Sequence, residues 1–310
     1  MSALPFFAAS DSSASSVARL LVAAFLLGLW SSCAPAMSRP SSAEGCPSDV
    51  PADMACIPGG RFLLGSNETD WKKENWDLSS FAVHTVELST FLLDKYEVTT
   101  EQYQACVAAG RCERQLTNYP HLREPKMPQM KVNWYQAQAY CKAQGKRLPT
   151  EAEFEAASRG PDGEAHPWGN APATCEYAII KDDTGRGCKG HKAPGWHATP
   201  ESFRETGATW DVGSKGPYRY GLYDMSGNAQ EWVSDWFAPT LEACGAACTG
   251  RDPQGPCAGA DHCPGFDEKL VKGGSWYWGP IAARAAARRP HFPKNQPIHH
   301  FGFRCAKSIH

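Results

Sequence analysis

The 310-residue chain is 42% hydrophobic and 21% charged, with a formal net charge of −2. That apolar share is ample for a core and excludes wholesale disorder, and the near-neutral balance speaks against a dedicated nucleic-acid binder, which carries a basic excess. The 28 Gly, 24 Pro and 11 Trp predict a loop-rich fold with aromatic clusters, and the 13 Cys, none spaced Cys-x2-Cys, predict disulfides formed outside a reducing cytosol.

In chain order, Arg19 precedes an uncharged apolar run, Leu20 to Leu29, too short to span a bilayer comfortably. The run fits the hydrophobic region of a signal peptide. Trp30-Ser-Ser-Cys33 follows and resembles a bacterial lipoprotein signal, in which the cysteine is lipidated and becomes the first residue. The expectation is a signal peptide over 1–32, a lipid anchor on Cys33 as the sole membrane attachment, and a place in the bacterial cell envelope. Plain secretion is the alternative. Twelve cysteines remain after Cys33, an even number compatible with six bridges. Residues 33–50, rich in Ser, Pro and Ala, read as a tether, and 51–310 as one domain without repeats.

Three helices are predicted. Glu101–Ala109 is capped by Thr99, with Gln102 completing a capping box and Gly110 stopping it. A second follows Asn133 to about Gln144, with Gly145 beyond its end. A third opens on the capping box Thr150-Glu-Ala-Glu153, continues through Ala156 and Ala157, and stops at Gly160. Strands are predicted at Gly60–Leu64, Val83–Leu93 and Leu270–Gly273. Residues 161–270 show no sustained period, and so much irregular chain calls for disulfides and a bound ion to hold it. Cys106 and Cys112 flank the end of the first helix at a spacing that suits a local bridge. No nucleophile motif, phosphate loop or dinucleotide fingerprint is present.

One ordered set of segments carries a resemblance. It comprises Ile57-Pro-Gly-Gly60-Arg-Phe62, Phe91-Leu-Leu-Asp-Lys-Tyr-Glu97-Val-Thr99, Val132-Asn-Trp134, and Gly145-Lys-Arg147-Leu-Pro-Thr150-Glu-Ala-Glu153. Pro167-Trp-Gly-Asn170, Gly221-Leu-Tyr-Asp-Met-Ser-Gly-Asn228, Glu231-Trp232, Gly273-Gly-Ser275 and Gly302-Phe-Arg-Cys305 complete it. Across residues 54–307 it resembles the formylglycine-generating enzyme (sulfatase-modifying factor) family. The resemblance implies an α+β fold, a loop-rich variant of the C-type lectin fold with little regular secondary structure.

It also implies an activity, the oxidation of a sulfatase cysteine to formylglycine with oxygen and Cu(I). The family's copper is held by two thiolates between the Gly-Gly-Ser strand and the Gly-Phe-Arg-Cys end, soft ligands for a soft ion. Here the interval from Gly273 to Arg304 contains no cysteine, so no copper is expected. A further family disulfide is missing at both ends, which read Ala156-Ala157 and Ala285–Ala287.

The family's calcium loop is matched by Gly227-Asn228-Ala-Gln-Glu231-Trp232. By resemblance a structural Ca2+ would take the carbonyls of Ser226, Gly227 and Ala229 and the carboxylate of Glu231, hard oxygens for a hard cation. The alternative is that Asn228 makes a left-handed turn and Glu231 pairs with an arginine. Cys175-Glu-Tyr-Ala178 replaces a second family calcium site, whose work a Cys175–Cys188 bridge would take over. The resemblance also pairs Cys141 with Cys305. Cys244, Cys248, Cys257 and Cys263 allow three pairings, and Cys46–Cys56 is left by elimination.

Trp276, Trp278, Arg284 and Arg288, with Arg289, form a possible basic, aromatic groove edge for an anionic ligand; a solvated, salt-bridged face is the alternative. His291, His299 and His300 read as surface or packing residues, with the adjacent pair pointing opposite ways. The functional expectation is a non-catalytic binding module for a protein, peptide or glycan. The alternative is an enzyme of the formylglycine-generating type, or another enzyme using the same groove.

Overall fold

The computed structural model describes residues 45–75, 77–115, 122, 124–189, 207–294 and 299–309. The signal segment, Cys33 and the tether up to residue 44 lie outside the described residues. Among the described residues three long helices form where capping dictates. Helix α1 (Thr100–Ala108), α2 (Trp134–Ala143) and α3 (Glu151–Arg159) each start at a reciprocal capping box, Thr99 with Gln102, Asn133 with Gln136, and Thr150 with Glu153. Each box satisfies two of the donors that a helix start leaves unpaired.

Among the described residues ten strands make three small sheets. β1 (Met54–Ile57), β4 (Phe91–Asp94) and β10 (Ala306–Ser308) form one, with β4 central and both partners antiparallel to it. β2 (Gly60–Leu64), β3 (His84–Leu88) and β6 (Gly250–Arg251) form the second. β5 (Gln230–Trp236), β7 (Lys269–Lys272), β8 (Arg289–His291) and β9 (Phe301–Gly302) form the third, in the order β8-β7-β5-β9.

Two strand expectations need correction. The single strand expected over Val83–Leu93 is two strands in different sheets. At the break, Ser89 turns its backbone N–H and its hydroxyl to the Asp252 carboxylate, at 2.6 and 2.7 Å, instead of to a neighbouring strand. The stretch 161–270, expected to be irregular, contains β5. That strand is buried on both faces except at Ser234, so it shows none of the alternation by which a half-exposed strand is recognised.

The core wraps α3 and the β5–β7 pair. Phe154, Ala156, Ala157, Val233, Leu270, Phe91 and Leu93 pack into one apolar cluster. A second joins α1 and α2 to β5 and the C-terminal strands through Tyr103, Trp134, Tyr140, Trp232, Phe301 and Phe303. Two indoles lock α2 onto β5 reciprocally. Trp134 Nε1 donates to the Val233 carbonyl at 2.8 Å and Trp232 Nε1 to the Val132 carbonyl at 2.9 Å, so both tryptophans bury their rings without leaving an orphan donor.

All six bridges form. Cys46–Cys56, Cys106–Cys112, Cys141–Cys305 and Cys175–Cys188 match the expectations, and the open set resolves as Cys244–Cys248 and Cys257–Cys263. Cys46 belongs to the stretch read as tether, so the tether's last residues are stapled to β1.

Candidate functional site

The loop between residues 221 and 229 and the segment from Gly273 to Arg289 are one structure. Gly227 N–H donates to the Gly273 carbonyl at 2.8 Å, Trp276 N–H to the Asn228 carbonyl at 3.0 Å, and Ser226 Oγ to the Ala283 carbonyl at 2.8 Å. Gly227 has φ +86°, and a Cβ there would stand 2.7 Å from the Ile179 carbonyl oxygen; only glycine permits both the left-handed turn and the close approach. Asn228 follows at φ 56°, a conformation asparagine tolerates better than most residues. Its side chain bonds the Trp210 N–H at 2.9 Å and the Glu97 carboxylate at 3.3 Å.

Glu231, the second residue of β5, is fully buried and meets Arg304 head-on. Arg304 Nε donates to Oε2 at 2.8 Å and Nη2 to Oε1 at 2.7 Å, the bidentate geometry that makes arginine–carboxylate pairs strong. The remaining guanidinium hydrogens reach the carbonyls of Lys95 and Tyr223, at 3.1 and 3.0 Å. The left-handed Asn228 and the Glu231–Arg304 pair are the arrangement set against calcium in the sequence reading.

The surroundings of that pair nevertheless carry surplus negative charge. Glu97 accepts from Ala229 N–H at 3.2 Å, and Asp224 accepts from the Gly213 and Lys215 N–H groups at 2.5 and 3.0 Å. Both side chains are buried. Burial, and then the charges of Asp224 and Glu231, push Glu97 well above the usual carboxylate range. Burial pushes Asp224 to about 7 and lifts Glu231 despite Arg304. Three carboxylates against one guanidinium is a donor set short of positive charge, and in that respect the residues fit a divalent cation. Among the described residues no three acidic, histidine or cysteine side chains converge as a ligand set. A cation here would therefore depend on the Ser226, Gly227 and Ala229 carbonyls as well as on Glu231. Glu97 and Asp224 were within quoted motifs, but their role depends on burial that spacing does not reveal.

The groove edge is only partly an edge. Trp278 and Arg284 are half-buried at the surface, but Trp276 and Arg288 are buried, at 2% and 1% exposure. Trp276 packs with Ala178, Ile180, Cys188 and Trp210. Arg288 lies over the Phe81 ring at 3.5 Å and is held by Glu151 across 137 residues, with Nε to Oε1 at 2.6 Å and Nη2 to Oε2 at 3.1 Å. These two are corrected from groove residues to core. Arg289 is largely covered and pairs with Asp77 at 3.0 Å, and Arg284 with Asp70 at 2.5 Å. The face is thus salt-bridged, and more buried than the solvated alternative.

The histidines pack, as expected. His300 is buried, and its Nε2 accepts from Arg289 Nη1 at 3.0 Å, since a guanidinium can only donate. Burial, and then Arg289, push it well below the usual histidine range. His291 packs against Trp232 and Phe301, and His299 against Tyr277.

Sequence reasoning missed a second buried ionic network. Lys272 Nζ reaches Glu155 at 2.9 Å and Glu151 at 3.4 Å, and Arg159 reaches Glu155 at 2.8 Å. Burial raises Glu155, but Lys272 and Arg159 outweigh it and hold the carboxyl at about 2. The i, i+4 spacing of Glu155 and Arg159 was a legible signal; the contact from Lys272 was not.

A mixed, loop-rich domain locked by Arg304 and Glu231 and closed by a bridge from α2 to the C-terminal segment defines a formylglycine-generating-enzyme-like domain. Residues 41–309 match the family described as "Sulfatase-modifying factor enzyme 1-like domain", and the chain belongs to that family. It is 30% identical to a formylglycine-generating enzyme of Thermomonospora curvata, over 84% of this chain and 95% of that protein. It is 34% identical to one of Streptomyces coelicolor, over 87% and 91%. The "Inactive C-alpha-formylglycine-generating enzyme 2" of Mus musculus is 25% identical, over 82% and 85%. Among solved structures, Treponema denticola variable protein 1 superposes with a TM-score of 0.59 at 23% identity, over 83% of this chain and 95% of that one. PvdO from Pseudomonas aeruginosa superposes with a TM-score of 0.61 at 21% identity, over 83% and 94%. At these identities the two structures speak for the fold alone.

Proposed function

We propose that this chain is a non-catalytic member of its family, an exported and lipid-anchored module that binds a protein, peptide or glycan ligand. The observation that carries the reading is the state of its cysteines. The interval Gly273–Arg304 has none, and the twelve that follow Cys33 are all consumed in six disulfides. Copper chemistry of the family's kind needs two free thiolates, and the domain offers no pair. That a mouse relative is named inactive agrees with a scaffold that can outlive its chemistry. We place the domain in the C-type lectin class of folds, anchor it through lipid on Cys33 after removal of residues 1–32, and locate it in the bacterial cell envelope.

Ligand binding falls to the outer edge of the Gly273–Arg289 segment, where Tyr277, Trp278 and Arg284 reach the surface. A structural Ca2+ would be held by the Ser226, Gly227 and Ala229 carbonyls and the Glu231 carboxylate, with Glu97 and Asp224 supplying charge nearby. Its contribution would be neutralisation of the buried carboxylates.

The test is to incubate the protein with Cu(I), oxygen and a cysteine-containing sulfatase peptide and to look for the aldehyde by mass spectrometry. The expected result is no turnover above free copper; clear turnover establishes the enzymatic alternative instead. For the anchor, the expected mature N-terminus is a lipidated Cys33, and an unmodified Cys33 removes it.

A further inference from the structure

The segment facing the proposed binding edge is itself shaped like a ligand. Residues 70–75 and 77–79, either side of Trp76, which lies outside the described residues, cross the 279–289 segment as a strap. Three carboxylates point inward from it. Asp70 takes Arg284, Glu74 Oε2 takes the Ile281 N–H at 2.8 Å, and Asp77 takes Arg289. Between them Trp71 and Leu78 rest on the small side chains of Ala282, Ala286 and Ala287, and Trp71 lies 5.2 Å from the Arg284 guanidinium. Lys72 and Lys73 are exposed, so the strap is acidic and aromatic inward and basic outward.

The fit is incomplete in its polar pairing. Asn75 Nδ2, Asp77 Oδ1 and Ser79 Oγ on the strap are buried without a hydrogen-bond partner among the described residues. So are the Trp278 indole N–H and His300 Nδ1, which carries the proton because Nε2 accepts from Arg289. Buried polar groups left unpaired are costly, and that cost is relieved when opening lets water reach them. Opening would bare two arginines, the Trp278 N–H and a shallow alanine floor.

We infer that the strap is an internal stand-in for the ligand, and that the edge it covers accepts, once the strap lifts, a peptide segment bearing carboxylates around an aromatic residue. This rests on the binding reading above and names its ligand class. The arginines supply paired donors to carboxylates, the backbone N–H at Ile281 supplies a third, and the alanine floor admits one aromatic ring.

The experiment titrates a fluorescein-labelled peptide copying residues 67–80 into the full disulfide-bonded chain, as wild type, as Asp70→Asn and as Asp70→Asn/Asp77→Asn. The double variant is expected to bind at least tenfold more tightly than wild type and to be cut faster by protease between residues 66 and 80. A peptide with its acidic residues replaced by their amides is expected to lose that gain. The inference is overturned if a cooperatively melting double variant binds the peptide no more tightly than wild type, or binds the amide peptide equally well. Should the double variant not fold, Asp70→Asn alone decides, because its ion pair sits at the rim; no gain there overturns the inference too. The aldehyde assay is independent. A failed titration leaves the non-catalytic reading standing, and aldehyde formation would sink that reading whatever the peptide does.

Discussion

Two buried ionic networks meet the β5–β7 pair where Glu231 stands opposite Lys272, and they are balanced differently. Around Lys272, two carboxylates, Glu151 and Glu155, meet three cations, Arg159, Lys272 and Arg288. Around Arg304, three carboxylates, Glu97, Asp224 and Glu231, meet one. The same burial that leaves Glu155 at about 2 leaves Asp224 at about 7. Desolvation raises both; the number of cations within reach decides which way each ends. The first network is matched by cations of the chain itself, and in the second the surplus carboxylates are raised toward protonation instead.

Breaking the balanced network should cost most. Lys272→Met leaves Glu151 and Glu155 buried with less compensation and should destabilise by about 3–5 kcal/mol, read as a fall in denaturation midpoint. Acid should attack the same network next. Glu155 is depressed from 4.5 to about 2, so its stabilisation is fully present above about pH 4.5 and is lost as pH falls toward 2. A melting series over that window should show the loss in wild type and a smaller one in Glu155→Gln, compared with its own value at neutral pH. The charge-poor network should respond to metal instead. Ca2+ at a hundred times its dissociation constant should add about 2.7 kcal/mol, removable by chelator; an unchanged melting temperature across a calcium titration removes the ion from the site. The smallest effect should carry the opposite sign to the first. Glu97→Gln keeps an acceptor for Ala229 while removing one repelling charge, so calorimetry without calcium should find it neutral or stabilising by up to about 1 kcal/mol. Destabilisation well beyond that would mean the charge at Glu97 is needed.

Local chemistry made part of this legible. Each capping box is written within four residues, and the helices begin where Thr99, Asn133 and Thr150 require. The bounds of β2 were legible for the same reason, since its faces alternate. β5 was not, because both its faces are buried, and the break at Ser89 was not, because Asp252 lies far along the chain. The site divided likewise. The Ser226–Glu231 loop was found by resemblance, and its left-handed Asn228 was the alternative set beside calcium. That Arg288 is core rather than edge depends on Glu151, and that Glu97 and Asp224 crowd Glu231 depends on packing of three distant segments. Resemblance supplied the Cys141–Cys305 pairing, which no local pattern encodes.

That bridge makes most of the molecule a closed covalent ring. It joins α2 to the segment just before β10 across 164 residues, and the calcium-type loop, the strap's docking edge and both networks' central cations all lie inside the ring. A single cut anywhere between Cys141 and Cys305 opens the ring without releasing a fragment. Where a protease reaches the long irregular stretches of this domain, a nick leaves their two ends joined. On a non-reducing gel such a nicked chain would still run as one piece, and only a reductant would show that it had been cut.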